Sequence, residues 1–200
     1  MTQLLDPQFL IQTLGLIGVI AIVFAESGLF FGFFFPGDSL LFTAGLFASQ
    51  GHLNIYILVI GSILAAILGD SVGYSFGRKV GPKLFSREDS FFFHKKHAER
   101  AKAFYEKYGV KTIILARFVP IVRTFAPIVA GVGEMKYKTF LSYNVIGGVL
   151  WAGIMTLAGF FLGKAFPGIS AYLHVIITAI IVISIIPIVL EWWKARKLQI

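Results

Sequence analysis

The 200 residues are 57% hydrophobic and only 14% charged, with a mean hydropathy of +0.82. A chain of this length cannot hide so much apolar surface from water, which excludes a soluble enzyme, a nucleic-acid-binding domain and a disordered chain. The formal charge of +8 then points to cytoplasmic loops and anionic lipid rather than to nucleic acid. No cysteine is present, so disulfides and thiolate chemistry are excluded. We therefore expect an all-α membrane protein, with residues 1–200 forming a single membrane domain.

The first half of the chain, residues 1–77, contains two candidate spans and a broken apolar stretch between them. Residues 9–25 and 53–77 are each long enough to cross a bilayer as a helix. The stretch at about 26–50 is interrupted by Pro36, Gly37 and Asp38, which leaves two arms too short to cross alone. This pattern predicts a re-entrant helical hairpin, which enters and leaves the membrane on one face.

Residues 78–111 differ from the rest of the chain because they carry ten Lys and Arg against four Asp and Glu. The apolar residues among them share a helix spacing. These two features predict an amphipathic helix on the cytoplasmic surface of the membrane.

The second half, residues 112–193, repeats the order of the first. An apolar stretch at 112–131 is interrupted by Pro120 and Pro127 and predicts a second re-entrant hairpin. Residues 140–161 and 171–190 are candidate spans, which makes about four transmembrane helices in total. Residues 194–200 form a basic tail behind a pair of tryptophans, which is typical of a membrane interface.

The distribution of Lys and Arg orients the chain. It places 78–111 and the C-terminal tail in the cytoplasm, and with four spans it also places the N-terminus there. Under a shift of 86 residues the two halves match at four glycines, with opposite orientation in the membrane. The pairs are Gly45 with Gly131, Gly61 with Gly147, Gly73 with Gly159 and Gly77 with Gly163. The match predicts inverted repeats with broken helices, the architecture of secondary transporters.

Charges inside apolar segments are the candidate functional residues, because each costs about 2.5–3.5 kcal/mol at a bilayer centre unless it is paired or used. Hairpin one contributes Glu26 and Asp38, and hairpin two contributes Arg117 and Arg123, which together form a neutral set. Arginine binds phosphate or carboxylate through two parallel hydrogen bonds, and burial favours the protonated form of a carboxyl. The pattern predicts a proton-coupled carrier of an anion. The alternative is that the four charges are only ion pairs that hold the hairpins together.

Several further residues are expected to support this site. Asp70 lies in the span at 53–77 and has three interpretations: a helix cap, the partner of a basic residue, or a proton relay. Asn144 is expected to make a hydrogen bond between helices. Pro36, Pro120 and Pro127 are expected to break the hairpins.

Three short motifs resemble the signatures of the DedA family of bacterial membrane proteins. They are Glu26 with Phe-Pro-Gly-Asp at 35–38, Gly-Asp-Ser-Val-Gly-Tyr at 69–74, and Arg-Phe-Val-Pro at 117–120 continuing through Arg123, Pro127 and Gly131. Asn144, Gly148 and Trp151 also fit the resemblance. The resemblance implies a multi-pass inner-membrane protein with two re-entrant hairpins. It also implies transport of a polyprenyl phosphate, such as undecaprenyl phosphate, coupled to the proton-motive force. On that basis Glu26 and Asp38 carry protons, and Arg117 and Arg123 bind the phosphate.

The expected partners are therefore polyprenyl phosphate or another anionic lipid, protons and membrane lipids, with a second copy of the chain also possible. No nucleic acid, cofactor, metal or catalytic residue is expected. Three other functions stay open: an ion/proton exchanger that uses Glu26 and Asp38, an enzyme acting on a lipid phosphate, and a scaffold that binds anionic lipid through 78–111. His94 and His97 lack the neighbouring acid that would make them a metal site.

Overall fold

The computed structural model describes residues 7–29, 36–85 and 111–166, together with 168–169, 175–176 and 178–179. In these ranges every regular element is a helix. The helices are α1 (Pro7–Gly28), α2 (Gly37–Ser49), α3 (Ile55–Phe85), α4 (Lys111–Ala116), α5 (Pro120–Val132) and α6 (Tyr137–Ala165). Helices α1, α3 and α6 are long and apolar enough to cross a membrane. Three of the four expected spans are thus found, and most of the fourth, at 171–190, lies outside the described residues.

The boundaries of the helices differ from the sequence predictions in two places. Glu26 does not end the first span, because α1 continues to Gly28. Helix α3 continues through Phe85, so Arg78 and its neighbours extend this helix rather than begin a surface one. The remainder of the predicted amphipathic helix, at 86–110, lies outside the described residues, as do residues 30–35 of the first hairpin.

Pro120 and Pro127 behave differently in the second hairpin. Pro120 is the first residue of α5, where its missing N–H costs no helical hydrogen bond. Pro127 was expected to interrupt the hairpin, but it lies inside a continuous α5. A single proline is tolerated where neighbouring helices hold the segment in place, and Pro127 packs against Gly73 of α3.

Helices α3 and α6 run antiparallel. Tyr56, near the start of α3, lines a groove together with Lys164, near the end of α6. At the opposite end, Tyr74 of α3 stacks on Phe140 of α6, with 4.6 Å between ring centroids. The two long helices therefore cross the bundle in opposite directions.

The short helices pack in exchanged positions, α2 along α6 and α5 along α3. Gly45 of α2 lies against the backbone of α6 at Thr156 and Phe160. Gly131 of α5 lies in the same way against α3 at Tyr74 and Arg78. These two contacts are equivalent under exchange of the halves, as an inverted repeat requires.

The shift between the halves is not constant, however. It is 86 residues for the hairpin helices, but Gly77 of α3 is equivalent to Gly159 of α6, a shift of 82. The expected pairs on the long helices, Gly61 with Gly147, Gly73 with Gly159 and Gly77 with Gly163, are therefore displaced by one helical turn. The reason is that α6 begins six residues after Gly131, whereas α3 begins ten residues after Gly45.

The outer surface of the bundle is apolar, as expected in lipid. Ile17 of α1 is 82% exposed and Tyr56 of α3 is 77% exposed. The interior contains eleven buried polar or charged side chains among the described residues, including four of the five charges expected inside apolar segments. The fold thus places polar groups at the centre and apolar groups at the surface, which is the reverse of a soluble protein.

Candidate functional site

Arg123 lies at the centre of the first buried charge cluster. Its Nη1 donates a hydrogen bond to Oδ1 of Asp38 at 2.7 Å, and its Nη2 donates to Oε1 of Glu26. Glu26 is 1% exposed and Arg123 is 2% exposed, whereas the side chain of Asp38 keeps 19% exposure. One guanidinium therefore holds two carboxyl groups from the first half of the chain.

Two helix beginnings meet at this cluster. Asp38 lies in the first turn of α2, where the partial positive charge of a helix start favours an acid. Arg123 lies near the start of α5, where the same partial charge disfavours a cation. The two carboxyl groups of Glu26 and Asp38 offset that cost, so the acids and the arginine depend on each other.

Arg117 forms a second cluster in the break between α4 and α5. Its Nη2 donates to Oδ2 of Asp70 and to Oδ1 of Asn144, and lies 3.4 Å from the carbonyl oxygen of Ala66. Asn144 in turn donates through Nδ2 to the carbonyl oxygen of Ile67 at 3.0 Å. The structure therefore shows Asp70 as the partner of a basic residue and Asn144 as a bridge between α3 and α6.

The two clusters together contain three acids and two arginines. Arg117 and Arg123 are close enough to influence each other electrostatically, and Asp70 also acts on Arg123. The expected neutral set of four charges is therefore incomplete, because Asp70 belongs to it. With all five groups ionised, the set carries one excess negative charge, which a single proton neutralises.

Several polar atoms of these residues have no hydrogen-bond partner in the described part of the chain. They are Nε and Nη1 of Arg117, Nε of Arg123, Oε2 of Glu26 and Oδ1 of Asp70. A buried polar atom without a partner costs about 1–3 kcal/mol, so native proteins rarely keep several together without a use for them. Arg117 in particular has two donors that an anion could accept from.

The expected supporting residues have defined positions. Pro36 immediately precedes α2, and Pro120 begins α5. Gly131 packs against the backbone of α3 at Tyr74 and Arg78. Pro127 also packs on α3, so these last two residues position α5 rather than line the site.

Trp151 fits the family resemblance in sequence, but it was not among the predicted site residues. Its indole Nε1 donates to Oδ1 of Asp38 at 2.7 Å, and its ring lies 4.3 Å from Cζ of Arg123. Two glycines also belong to the site. A Cβ on Gly37 would overlap the carboxyl group of Glu26, and one on Gly147 would lie 2.7 Å from Cδ of Arg117. The signals in the sequence were a lone tryptophan in an uncharged span and its fit to the family resemblance.

The described residues contain no group of three His, Cys, Asp or Glu arranged to hold a metal ion. His94 and His97 lie outside the described residues. The polar groups that are shown suit hydrogen bonding to an anion and exchange of protons.

These features define a class: a multi-pass helical membrane protein with a buried, acid–arginine site between two short helices. Comparison with known proteins identifies the family within this class. Residues 35–161 match the VTT domain. The chain is 51% identical over 178 residues to Protein DedA of Escherichia coli K12, covering 88% of this chain and 81% of that protein. It is also 42% identical over 201 residues to an uncharacterized membrane protein of Mycobacterium leprae, covering 98% and 90%.

The chain therefore belongs to the DedA family of membrane proteins with a VTT domain. An uncharacterized membrane protein of Mycobacterium tuberculosis is 45% identical over 195 residues, covering 94% of this chain and 85% of that protein. No solved structure matches the chain at a significant level.

Proposed function

We propose that this protein is a transporter, not an enzyme, that flips an anionic lipid across the bacterial inner membrane and is driven by the proton-motive force. The proposed substrate is undecaprenyl phosphate, returned across the membrane for cell-envelope synthesis. Glu26 and Asp38 are the proposed proton carriers, and Arg117 and Arg123 the proposed phosphate ligands.

The observation that carries the proposal is that the guanidinium of Arg123 is already bound by two carboxyl groups. Both of its terminal nitrogens already donate to carboxyl oxygens, so a phosphate must compete with Glu26 and Asp38 for this guanidinium. Protonation of Glu26 or Asp38 weakens its hold on the guanidinium, because a neutral carboxyl accepts a weaker hydrogen bond than a carboxylate. A proton and an anion therefore bind to the same site in a linked way.

The charge balance supports this linkage. Three acids and two arginines leave the site one proton short of neutrality, and each further proton makes it one charge more positive. A lipid phosphate with up to two negative charges is then attracted to a site that has taken up protons. Release of the protons on the other side of the membrane restores the acid–arginine contacts and expels the phosphate.

The shape of the bundle suits a lipid rather than a soluble anion. The charged groups are nearly sealed inside, and the outer faces of α1, α3 and α6 are apolar. A polyprenyl phosphate could place its head at Arg117 and Arg123 and keep its long tail in the bilayer. The phenylalanines at 30–35, which could face that tail, lie outside the described residues.

The test is a flipping assay in proteoliposomes that contain undecaprenyl phosphate, with an imposed pH gradient. Accessibility of the phosphate head group is followed over time for the wild type and for Arg117→Ala, Arg123→Ala and Glu26→Gln. The proposal expects gradient-dependent flipping in the wild type and its loss in all three variants. Lys79→Ala, which removes an exposed cation from the end of α3, is the matched control and should keep wild-type flipping.

Three outcomes would indicate a different substrate or a different function. Folded wild-type protein that flips another anionic lipid, but not undecaprenyl phosphate, would change the substrate and keep the mechanism. Proton movement driven by a cation gradient, without lipid flipping, would indicate an ion/proton exchanger based on Glu26 and Asp38. Inorganic phosphate released from the lipid would indicate an enzyme.

A further inference from the structure

Trp151 occupies an unusual position beside the proposed site. It lies on α6, is 1% exposed, and is the largest of the fully buried side chains among the described residues. Its indole N–H and Nη1 of Arg123 donate to the same oxygen, Oδ1 of Asp38, each at 2.7 Å. Its ring also faces the guanidinium of Arg123, at 4.3 Å from Cζ to the ring centroid. A single side chain thus contacts both an acid and the arginine bound to it.

We propose that Trp151 is a positioning residue that links the protonation of Asp38 to the release of Arg123. This inference rests on the proposed function, because it describes how that site would change state. The indole N–H donates to the same oxygen of Asp38 as Arg123 does, and the ring holds Arg123 in the site when its hydrogen bond to Asp38 weakens.

The hydrogen-bond chemistry of one oxygen is the first step of the argument. A carboxylate oxygen readily accepts two donors, whereas the hydroxyl oxygen of a protonated carboxyl is a poor acceptor and must itself donate. Both N–H groups therefore bind Oδ1 most strongly while Asp38 is a carboxylate. A proton on Asp38 weakens this acceptor for both donors.

The cation–π contact is the second step. A guanidinium over an indole ring is attracted to it whether or not an acid is nearby, and the attraction increases away from water. Arg123 freed from Asp38 thus has an alternative partner inside the site and does not need to leave it. A phenylalanine in place of Trp151 would keep much of this contact but lose the N–H donor.

Other charged groups also face this cluster. Glu26 of α1 shares Arg123 with Asp38, and Asp70 of α3 and Arg117 act on it from the second cluster. A pH-dependent change in the Trp151 signal must therefore be distinguished from a change that protonation of Glu26 causes. The variants below are chosen to make that distinction.

The experiment follows the indole N–H of Trp151 by NMR in detergent micelles or nanodiscs as the pH is changed. The protein has three tryptophans, so selective ¹⁵N labelling gives three indole signals, and Trp151→Phe identifies the one from Trp151. We expect this signal to move with pH in the wild type and in Glu26→Gln, and to stay fixed in Asp38→Asn. A signal that does not move with pH, or that still moves in Asp38→Asn, would overturn the proposal.

A second measurement uses transport. Trp151→Phe should keep flipping but shift its pH profile, because the variant lacks the N–H that donates to Asp38. Phe161→Leu, an exposed aromatic on the same helix, should leave the profile in place. A uniform loss of rate in Trp151→Phe, with no shift, would show a merely structural role. If flipping is absent but the indole signal responds to Asp38, the proposed function fails and the coupling stands.

Discussion

At the scale of single residues, the site depends on the number of donors that an arginine offers. Arg123 uses two nitrogens for two carboxyl groups, and Arg117 uses one nitrogen for Asp70 and Asn144. A lysine offers the same charge from a single point and cannot hold two partners in the same fixed plane. This difference separates a site that needs a charge from a site that needs the planar geometry.

Arg123→Lys should therefore reduce flipping by roughly 10- to 100-fold, because a hydrogen bond to a charged group contributes about 1.5–3 kcal/mol. The measurement is the initial rate of phosphate-head translocation at a fixed pH gradient. Arg78→Lys, at an exposed position on α3, is the matched control and should keep the wild-type rate. Equal rates for wild type and Arg123→Lys would mean that Arg123 serves only as a counter-charge.

Asp70 supports a second prediction at this scale. Asp70→Asn leaves the buried guanidinium of Arg117 without its counter-charge and should lower the free energy of unfolding by about 3 kcal/mol. Removing both charges in Asp70→Asn/Arg117→Gln should recover part of that loss. Unfolding in mixed micelles measures both variants, and Ser75→Ala, which is exposed one turn along α3, is the control. Additive losses in the double variant would show that the pair is not coupled.

Sequence reasoning reached much of this site but not its pairing. Charges in apolar segments identify Glu26, Asp38, Arg117 and Arg123 directly, because lipid makes each of them expensive. Which acid meets which arginine depends on how α1, α3 and α5 pack, and no local pattern contains that information. The contact of Trp151 with the site was missed for the same reason: the resemblance includes this residue, but only the packing of the helices shows that its N–H donates to Asp38.

At the scale of helices, close approach of backbones explains the glycines. A Cβ on Gly159 of α6 would overlap the carbonyl oxygen of Phe42 in α2, and one on Gly77 of α3 would overlap that of Ile128 in α5. Each short helix is thus held against its long partner by a glycine in equivalent position. The halves were matched in sequence, but the one-turn displacement of the long helices appears only once the structure shows where each long helix begins after its short helix.

Gly159→Ala should for this reason destabilise the protein by about 1–3 kcal/mol, since the added methyl group forces α2 and α6 apart. Gly153→Ala on the same helix is a matched control, because a Cβ there meets nothing within 4 Å. That control should be neutral or slightly stabilising, given the better helix propensity of alanine. Thermal unfolding of the purified variants measures the difference. Equal melting temperatures for the two would contradict the close packing of α2 on α6.

At the scale of the whole molecule, the antiparallel course of α3 and α6 defines how the two halves relate. The segment at 50–54 leads from α2 into α3, and the segment at 133–136 leads from α5 into α6. These two connections are equivalent in the repeat. Because α3 and α6 run in opposite directions, the two connections lie at opposite ends of the bundle, and in a membrane they should face opposite sides.

The absence of cysteine makes this arrangement easy to test, because any introduced thiol is the only one in the chain. His52→Cys and Glu134→Cys place a thiol at an exposed position in each connection. We expect a membrane-impermeant maleimide to label His52→Cys in spheroplasts, and Glu134→Cys only after permeabilisation, since the Lys and Arg distribution places 50–54 outside and 133–136 inside. Lys164→Cys, at the end of α6 that lies beside Tyr56, should label like His52→Cys.

Labelling of both connections from the same side would mean that α3 and α6 do not both cross the membrane, and the inverted repeat would then have to be abandoned. Labelling of only Glu134→Cys in spheroplasts would keep the repeat but reverse its orientation, and protons driving the transporter would then enter from the opposite end of the site.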